Sequence, residues 1–184
     1  MSTHALLSFL PNLITLARLL AVPLVVWLII SGHWESAFWV FLAASVTDGL
    51  DGSLARGLNA RTELGAYLDA IADKALLVSV YITLGQAGQI PIWMVILVVS
   101  RDVLIVGGFL MLHTLDQAPA MGPLLVSKAN TLAQLVLAGV VLADVGLHII
   151  GECVVPALIW LAAITTVASG GAYLVGWGRG LVRG

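Results

Sequence analysis

Asp48, Asp51, Asp69 and Asp73 fall within 26 residues of a chain that is 60% hydrophobic, with a mean hydropathy of +1.07. An ionisable group in an apolar, membrane-type segment is costly, and it is kept there for a task. Four carboxylates gathered together repel one another unless positive charge sits between them. A divalent cation held by hard oxygen ligands is the simplest source of that charge. The spacing i, i+3 puts Asp48 and Asp51 on one face of a helix, and i, i+4 does the same for Asp69 and Asp73. A short turn around Gly57 to Arg61 would set the two helices antiparallel and bring both pairs to one depth. Three or four carboxylates converging there can hold one or two Mg²⁺-like ions. The competing reading, ion-paired or snorkelling aspartates at a helix end, serves for one aspartate better than for four in this register with glycines between them. The pattern points to an intramembrane metalloenzyme.

The elements that must position these residues follow from composition. Only 10% of the 184 residues are charged, against about 25% in soluble domains. The net charge of −2 argues against a nucleic-acid surface, and the single Cys153 excludes an intramolecular disulfide or a cysteine-based metal site. Hydropathy predicts six transmembrane helices in an all-α, single-domain chain over residues 1–184. They run over Leu13–Ile30 (after a Pro11-Asn12 start signal), Trp34–Ala55, Thr62–Leu84, Pro91–Leu112, Leu124–Ala143 and Val154–Val175. Residues Met1 to Leu10 are expected to form a short helix on the membrane surface. The first apolar run exceeds a signal-peptide core of about 7–15 residues and contains Arg18, so it is expected to be retained.

Orientation follows from the cations. Arg56 and Arg61 lie between the second and third spans, and Arg179 and Arg183 follow the sixth, whereas the connections 31–35, 85–89 and 144–152 contain no Lys or Arg. The positive-inside rule then makes the N-terminus, the C-terminus and the end carrying the aspartates cytoplasmic. Arg18, Lys74, Arg101 and Lys128 lie inside predicted helices, mostly toward that same half. Small residues such as Ala44, Gly49, Gly52, Gly65 and Ala70 crowd the second and third spans, allowing close helix approach and leaving room for a ligand. His4, His33, His113 and His148 are too scattered for a histidine metal site, and Trp34, Trp39, Trp93 and Trp177 read as interfacial anchors.

The pattern D-x2-D-G-x2-A-R-x8-G-x3-D-x3-D is complete here at Asp48, Asp51, Gly52, Ala55, Arg56, Gly65, Asp69 and Asp73. It resembles the signature of the CDP-alcohol phosphotransferases, a long gapped pattern of high specificity. The likeness extends to the segment Pro11 to Arg18, similar to the first helix of the branch that makes phosphatidylglycerol phosphate and cardiolipin, and to Ser127 through Gln134, similar to its fifth helix. It covers about Pro11 to Leu137. The resemblance implies six transmembrane helices, a homodimer and a metal-dependent displacement of CMP from a CDP-linked donor by an alcohol. Carried over by position, Asp48, Asp51 and Asp69 would be ligands of Mg²⁺ (or Mn²⁺), expected as two ions. Asp73 would be the general base and would also touch metal. Gly52, Ala55, Arg56 and Gly65 would line the cytidine-diphosphate site. CDP-diacylglycerol would be the donor, and the setting a bacterial inner membrane with the site toward the cytoplasm.

The acceptor is read from the remaining polar residues. Ser127, Asn130, Thr131 and Gln134 recur at i, i+3, i+4, i+7, a polar stripe that suits either a wet pocket or interhelical hydrogen bonds. Lys74, Arg101 and Lys128 could bind a phosphate on the acceptor, with Arg18 closing the same pocket; alternatively Arg101 pairs with Asp102, and Arg18 reaches the headgroups. A phosphate-bearing glycerol acceptor is expected, either phosphatidylglycerol or glycerol 3-phosphate. The run Ser100-Arg101-Asp102-Val103 after Ile90-Pro91 looks more like the CMP-forming cardiolipin synthases, since the phosphatidylglycerol phosphate synthases tend to carry Arg-Glu there. Both branches commonly have Asp-Pro where this chain has Asp69-Ala70, which loosens the subfamily assignment but removes no ligand. The rival class is an ion-coupled membrane transporter. Against it stand the lack of an inverted repeat and a carboxylate cluster at one membrane face rather than the midplane.

Overall fold

The computed structural model describes residues 3–58, 63–114 and 125–183, with side chains described for 16–47, 74–108, 111, 114 and 125–177. Among these residues there are six α-helices and no strand: α1 Thr3–Ile30, α2 Trp34–Leu58, α3 Glu63–Gln86, α4 Ile92–Thr114, α5 Leu125–Leu147 and α6 Val154–Arg183. The fold class is all-α.

Short, specific stops separate the helices. Gly32, with φ +75°, ends α1: its N–H donates to Ile29 O and that of His33 to Leu28 O. This Schellman pattern needs a left-handed residue, which glycine supplies without a side-chain clash. Gly88, with φ +74°, ends α3 in the same way, through Gly88 N–H to Gly85 O and Gln89 N–H to Leu84 O. Pro91 stands just before α4 and accepts its first bonds from Met94 and Val95, a place where the missing proline N–H costs nothing.

The expected boundaries differ most at the first and last helices, while α2 runs on to Leu58 and α5 to Leu147. Residues Thr3 to Leu10 do not form a separate helix but continue into α1, with Pro11 inside it. Leu10 precedes that proline and Leu13 follows it after Asn12, and long membrane-type helices accommodate proline better than soluble ones. The sixth helix runs on to Arg183 rather than ending near Val175.

The helices alternate in direction. Gly146 of α5 lies against the backbone of Trp34 and Glu35 at the start of α2, and Gly139 lies near Phe41, so α2 and α5 are antiparallel. The Trp93 and Trp160 rings meet, tilted, with centroids 5.7 Å apart in the first turns of α4 and α6, while Gly108 and Trp177 meet further along, so those two are parallel. α1 packs on α2 and α3, and α3 also contacts α4 and α5. The core comprises Val25, Phe41, Val80, Leu84, Met94, Leu137 and their neighbours.

The outside is as apolar as the inside. Large hydrophobics lie exposed on helix after helix, among them Leu20, Ile30, Ile96, Leu132 and Ile164, the last 64% exposed. A water-soluble monomer does not carry apolar surface on this scale, whereas lipid accepts it. Among the described residues, two helical segments are long and apolar enough to cross a membrane, Leu125–Leu147 and Val154–Trp177. A shorter apolar helical stretch among the described residues is Leu16–Ile30 of α1.

The α2–α5 contact is tight enough to test. A Cβ built on Gly146 would meet Glu35 N at 2.8 Å and Trp34 C at 2.9 Å, both backbone atoms that cannot swing aside. Gly146→Ala is expected to destabilise the bundle by about 1–3 kcal/mol, whereas Gly171→Ala, with nothing within 4 Å, should leave it unchanged or slightly firmer. Thermal denaturation of the two variants in detergent checks this.

Candidate active site

The aspartates lie on the halves of α2 and α3 that flank their connection: Asp48 and Asp51 on α2 with Gly52, Ala55 and Arg56, and Asp69 and Asp73 on α3 with Gly65. The side chains of all eight, and hence the expected convergence of the carboxylates, lie outside the described residues. Their register can still be followed. On α3 the buried positions Leu77, Val80 and Leu84 repeat at helical spacing, and stepping back by four from Leu77 reaches Asp73 and then Asp69. On α2 the buried Ala37 and Phe41 lead by the same spacing to Asp48. By sequence spacing alone, Asp48, Asp69 and Asp73 fall in the register of those buried positions.

Immediately after Asp73, Lys74 begins the described part of the site. Its Nζ is 2.9 Å from Asp102 Oδ1, and that same oxygen accepts from Arg101 Nη1 at 2.7 Å. Asp102 and Arg101 are both buried, while the Lys74 side chain is 40% exposed. Arg101 spends its other donors on hydroxyls: Nε and Nη2 donate to Ser169 Oγ of α6, at 3.2 and 2.7 Å, and Nη2 also donates to Ser127 Oγ of α5. A buried guanidinium needs this many partners because water is not available to replace them. One network thus joins α3, α4, α5 and α6, starting from the residue that follows Asp73 in the chain.

The polar stripe of α5 is engaged inside the bundle. Asn130 Oδ1 accepts from Thr165 and Thr166 of α6 at 3.0 and 2.8 Å, and Gln134 Nε2 donates to Thr166 Oγ1 at 3.2 Å. Tyr81 of α3 donates to the Gln134 carbonyl at 3.0 Å. Thr131 donates back to the Ser127 carbonyl one turn earlier. Interhelical bonding therefore occupies Asn130 and Gln134.

A groove of about 360 Å³ opens between α3 and α4, lined by Lys74, Val78, Asp102, Val103, Val106 and Gly107. One end carries the ion pair and the walls are aliphatic, a shape suited to an amphipathic ligand. Of the four cations expected at an acceptor phosphate, Lys74 and Arg101 are brought together through Asp102. Lys128 is exposed, and Arg18 is buried on α1 and is engaged in an interaction of its own. Among the described residues no group of three or more His, Cys, Asp or Glu side chains forms a metal site.

A sequence model of the CDP-alcohol phosphatidyltransferase family matches residues 8–168, nearly the whole chain. The chain belongs to this family. It is 31% identical over 179 residues to the cardiolipin synthase (CMP-forming) of Homo sapiens, covering 89% of this chain and 60% of that protein. It is 32% identical over 182 residues to the cardiolipin synthase (CMP-forming) / mitochondrial hydrolase fusion protein of Schizosaccharomyces pombe, covering 90% of this chain and 30% of that one. It is also 32% identical over 181 residues to the CDP-diacylglycerol–glycerol-3-phosphate 3-phosphatidyltransferase of Bacillus subtilis, covering 89% and 92% respectively. The chain thus spans less than two thirds of the two cardiolipin synthases and most of the bacterial protein. The family match takes in the four aspartates, Lys74, Arg101 and Lys128, and ends one residue before Ser169.

Sequence reasoning passed over Ser169, Thr165, Thr166 and Tyr81. The first three did carry a signal: hydroxyl residues at i, i+1 and i+4 in an otherwise apolar helix are interhelical glue. Tyr81 gave none, since a tyrosine in an apolar helix is unremarkable until its hydroxyl is seen to reach a carbonyl.

Within this family member, removing one partner of the buried ion pair should cost far more than trimming the exposed one. Asp102→Leu leaves Arg101 without its counter-charge and is expected to lower stability by about 3–5 kcal/mol. Lys74→Met should cost less than about 1 kcal/mol. Urea or thermal unfolding in mild detergent measures both.

Proposed function

We propose that the chain transfers a phosphatidyl group from CDP-diacylglycerol to a phosphate-bearing glycerol acceptor, releasing CMP. The observation that carries this is the complete aspartate pattern inside a family match that spans residues 8–168. In this reading one domain over residues 1–184 crosses the membrane six times, with both termini and the site on the cytoplasmic face of a bacterial inner membrane, and works as a homodimer. The alternating helix directions and the exposed apolar surfaces support six spans.

The chemistry follows from the residues. Carboxylates are the hard ligands Mg²⁺ or Mn²⁺ prefer, and Asp48, Asp51, Asp69 and Asp73 would hold the cations, expected as two, that neutralise the diphosphate and the departing CMP. Gly52, Ala55 and Gly65 leave space for the cytidine diphosphate, and Arg56 faces its charge. Asp73 removes the proton from the acceptor hydroxyl. That oxygen bonds to the phosphorus bearing diacylglycerol, and the phosphoanhydride bond to CMP breaks. Lys74, backed by Arg101 and with Lys128 and Arg18 at the same end, would receive the acceptor's phosphate, and Ser127 beside Arg101 would border that pocket with Asn130, Thr131 and Gln134 one turn and more behind it.

Phosphatidylglycerol is the favoured acceptor, giving cardiolipin. The aliphatic walls Val78, Val103 and Val106 beside the Lys74–Asp102 pair suit a lipid whose phosphate sits at the charged end. A second reading, glycerol 3-phosphate giving phosphatidylglycerol phosphate, is supported by the Bacillus subtilis relative, which the chain covers over 92% of its length.

Purified protein with Mg²⁺ and CDP-diacylglycerol, offered either acceptor alone, is expected to release CMP and form cardiolipin with phosphatidylglycerol. CMP with glycerol 3-phosphate alone would move the chain to the second reading, and CMP with neither would overturn the proposal. Asp73→Asn should lower kcat about 10²–10⁴-fold while the protein remains folded.

A further inference from the structure

Val78 of α3 and Val103, Val106 and Gly107 of α4 line the groove beside the Lys74–Asp102 pair. Gly107 is the member that the fold does not account for. Glycine inside a helix is destabilising, and Gly107 lacks the left-handed backbone that requires it at Gly32 and Gly88. Close packing does not require it either. A Cβ built on Gly107 meets nothing within 4 Å among the described residues, whereas one on Gly108 would run into the Trp177 ring. Of two adjacent glycines, one has its space filled by the protein's own side chain, and the other leaves its space open to the groove.

Charge at the groove is unbalanced. Two cations, Lys74 and Arg101, share one oxygen of Asp102. Arg101 is buried and spends its remaining donors on Ser127 and Ser169, so the surplus positive charge falls to Lys74. An ammonium carries three donors, and this side chain is 40% exposed. A partly neutralised ammonium beside aliphatic walls, on the outside of an apolar bundle, is costly in lipid and calls for an anion. An anion with an apolar body meets the charge and the walls together, which inorganic phosphate does not. The groove's volume of about 360 Å³ lies near the lower end of the about 300–1,000 Å³ of small-molecule pockets, room for a single acyl segment. A second copy docked groove to groove would bring like charges together.

We propose that the α3–α4 groove seats an anionic phospholipid, its phosphate on Lys74 Nζ and one acyl chain lying over Gly107 between Val78, Val103 and Val106. Gly107 is then the residue that admits a lipid acceptor rather than a water-soluble one. In a bilayer the chain passes from one apolar medium to another, so the walls supply shape and the Lys74 charge supplies the preference. The inference rests on the phosphatidyl-transfer reading above and adds to it the seat of the acceptor's tail.

Gly107→Phe fills that seat, and Lys74→Met keeps the stem and removes the charge. Ile164→Phe, on the exposed surface of α6 away from the groove, is the control. Electron paramagnetic resonance of spin-labelled phosphatidylglycerol and phosphatidylcholine, in vesicles containing the full chain, measures how strongly each lipid is held. The wild type is expected to hold phosphatidylglycerol about fivefold more strongly than phosphatidylcholine. Both groove variants should bring that ratio to within about twofold of unity and raise KM for phosphatidylglycerol about fivefold, with KM for CDP-diacylglycerol unchanged. Ile164→Phe should match the wild type throughout. A merely structural effect would lower kcat or the melting temperature and leave the lipid ratio and KM in place. An undiminished ratio in Gly107→Phe overturns the inference, as does a change of oligomeric state with the ratio kept, which would give the groove to a second copy. Should Gly107→Phe fail to fold, Lys74→Met decides on the same criterion. Wild-type protein that makes cardiolipin without preferring phosphatidylglycerol over phosphatidylcholine, or that releases CMP with glycerol 3-phosphate alone, sinks this inference and leaves phosphatidyl transfer standing. Wild-type protein that releases no CMP with either acceptor sinks the functional reading and this inference together.

Discussion

A guanidinium inside an apolar bundle has no water to turn to, and the arrangement of α3 to α6 follows from meeting that need. Arg101 engages Asp102, Ser127 and Ser169, and Asp102 also holds Lys74. Each contact comes from a different helix, so satisfying one cation fixes the relative rotation and depth of four helices. Dispersion and apolar burial hold helices together without choosing one register over its neighbours. A buried charge does choose, because a slipped register leaves it unpaired.

The same constraint explains how the bundle divides. At the end holding the tight turns, packing is apolar and close: Gly146 against the α2 backbone, Gly85 against Val95, and Tyr81, Leu84 and Met94 wholly buried. Toward the other end hydroxyls, amides and charges appear in layers, first Gln134 with Thr166, then Asn130, then Arg101 and its partners. A rigid apolar half supports a polar half in which helix positions are set by hydrogen bonds. That is a reasonable frame for chemistry that depends mainly on holding two charged substrates in line.

Much of this was legible in the chain. Apolar runs separated by Gly32, Gly88 and Pro91 announced helices and their stops, because these residues act through local backbone geometry. Thr3 to Leu10 were misread as a separate helix, since a proline start signal and a proline inside a continuing helix look alike in sequence. The alternatives left open for Arg101 and for the α5 stripe were decided by which helix faces which. Asp102 adjoins Arg101 in sequence, but Ser169 is 68 positions away, and no local pattern links them.

Sequence alone determined the family, the apolar character and the identity and spacing of the four aspartates, because each depends on residue type and on periodicity within one helix. Tertiary structure alone decided that Arg101 is buried and shared among three other side chains, that Asn130 uses one arm of its amide toward α6, and that Lys74 borders an aliphatic groove. Those outcomes depend on the relative rotation of separate helices. Rotation is set by long-range contacts whose partners, such as Thr165, Thr166 and Ser169, carry no mark of their role until the bundle is assembled.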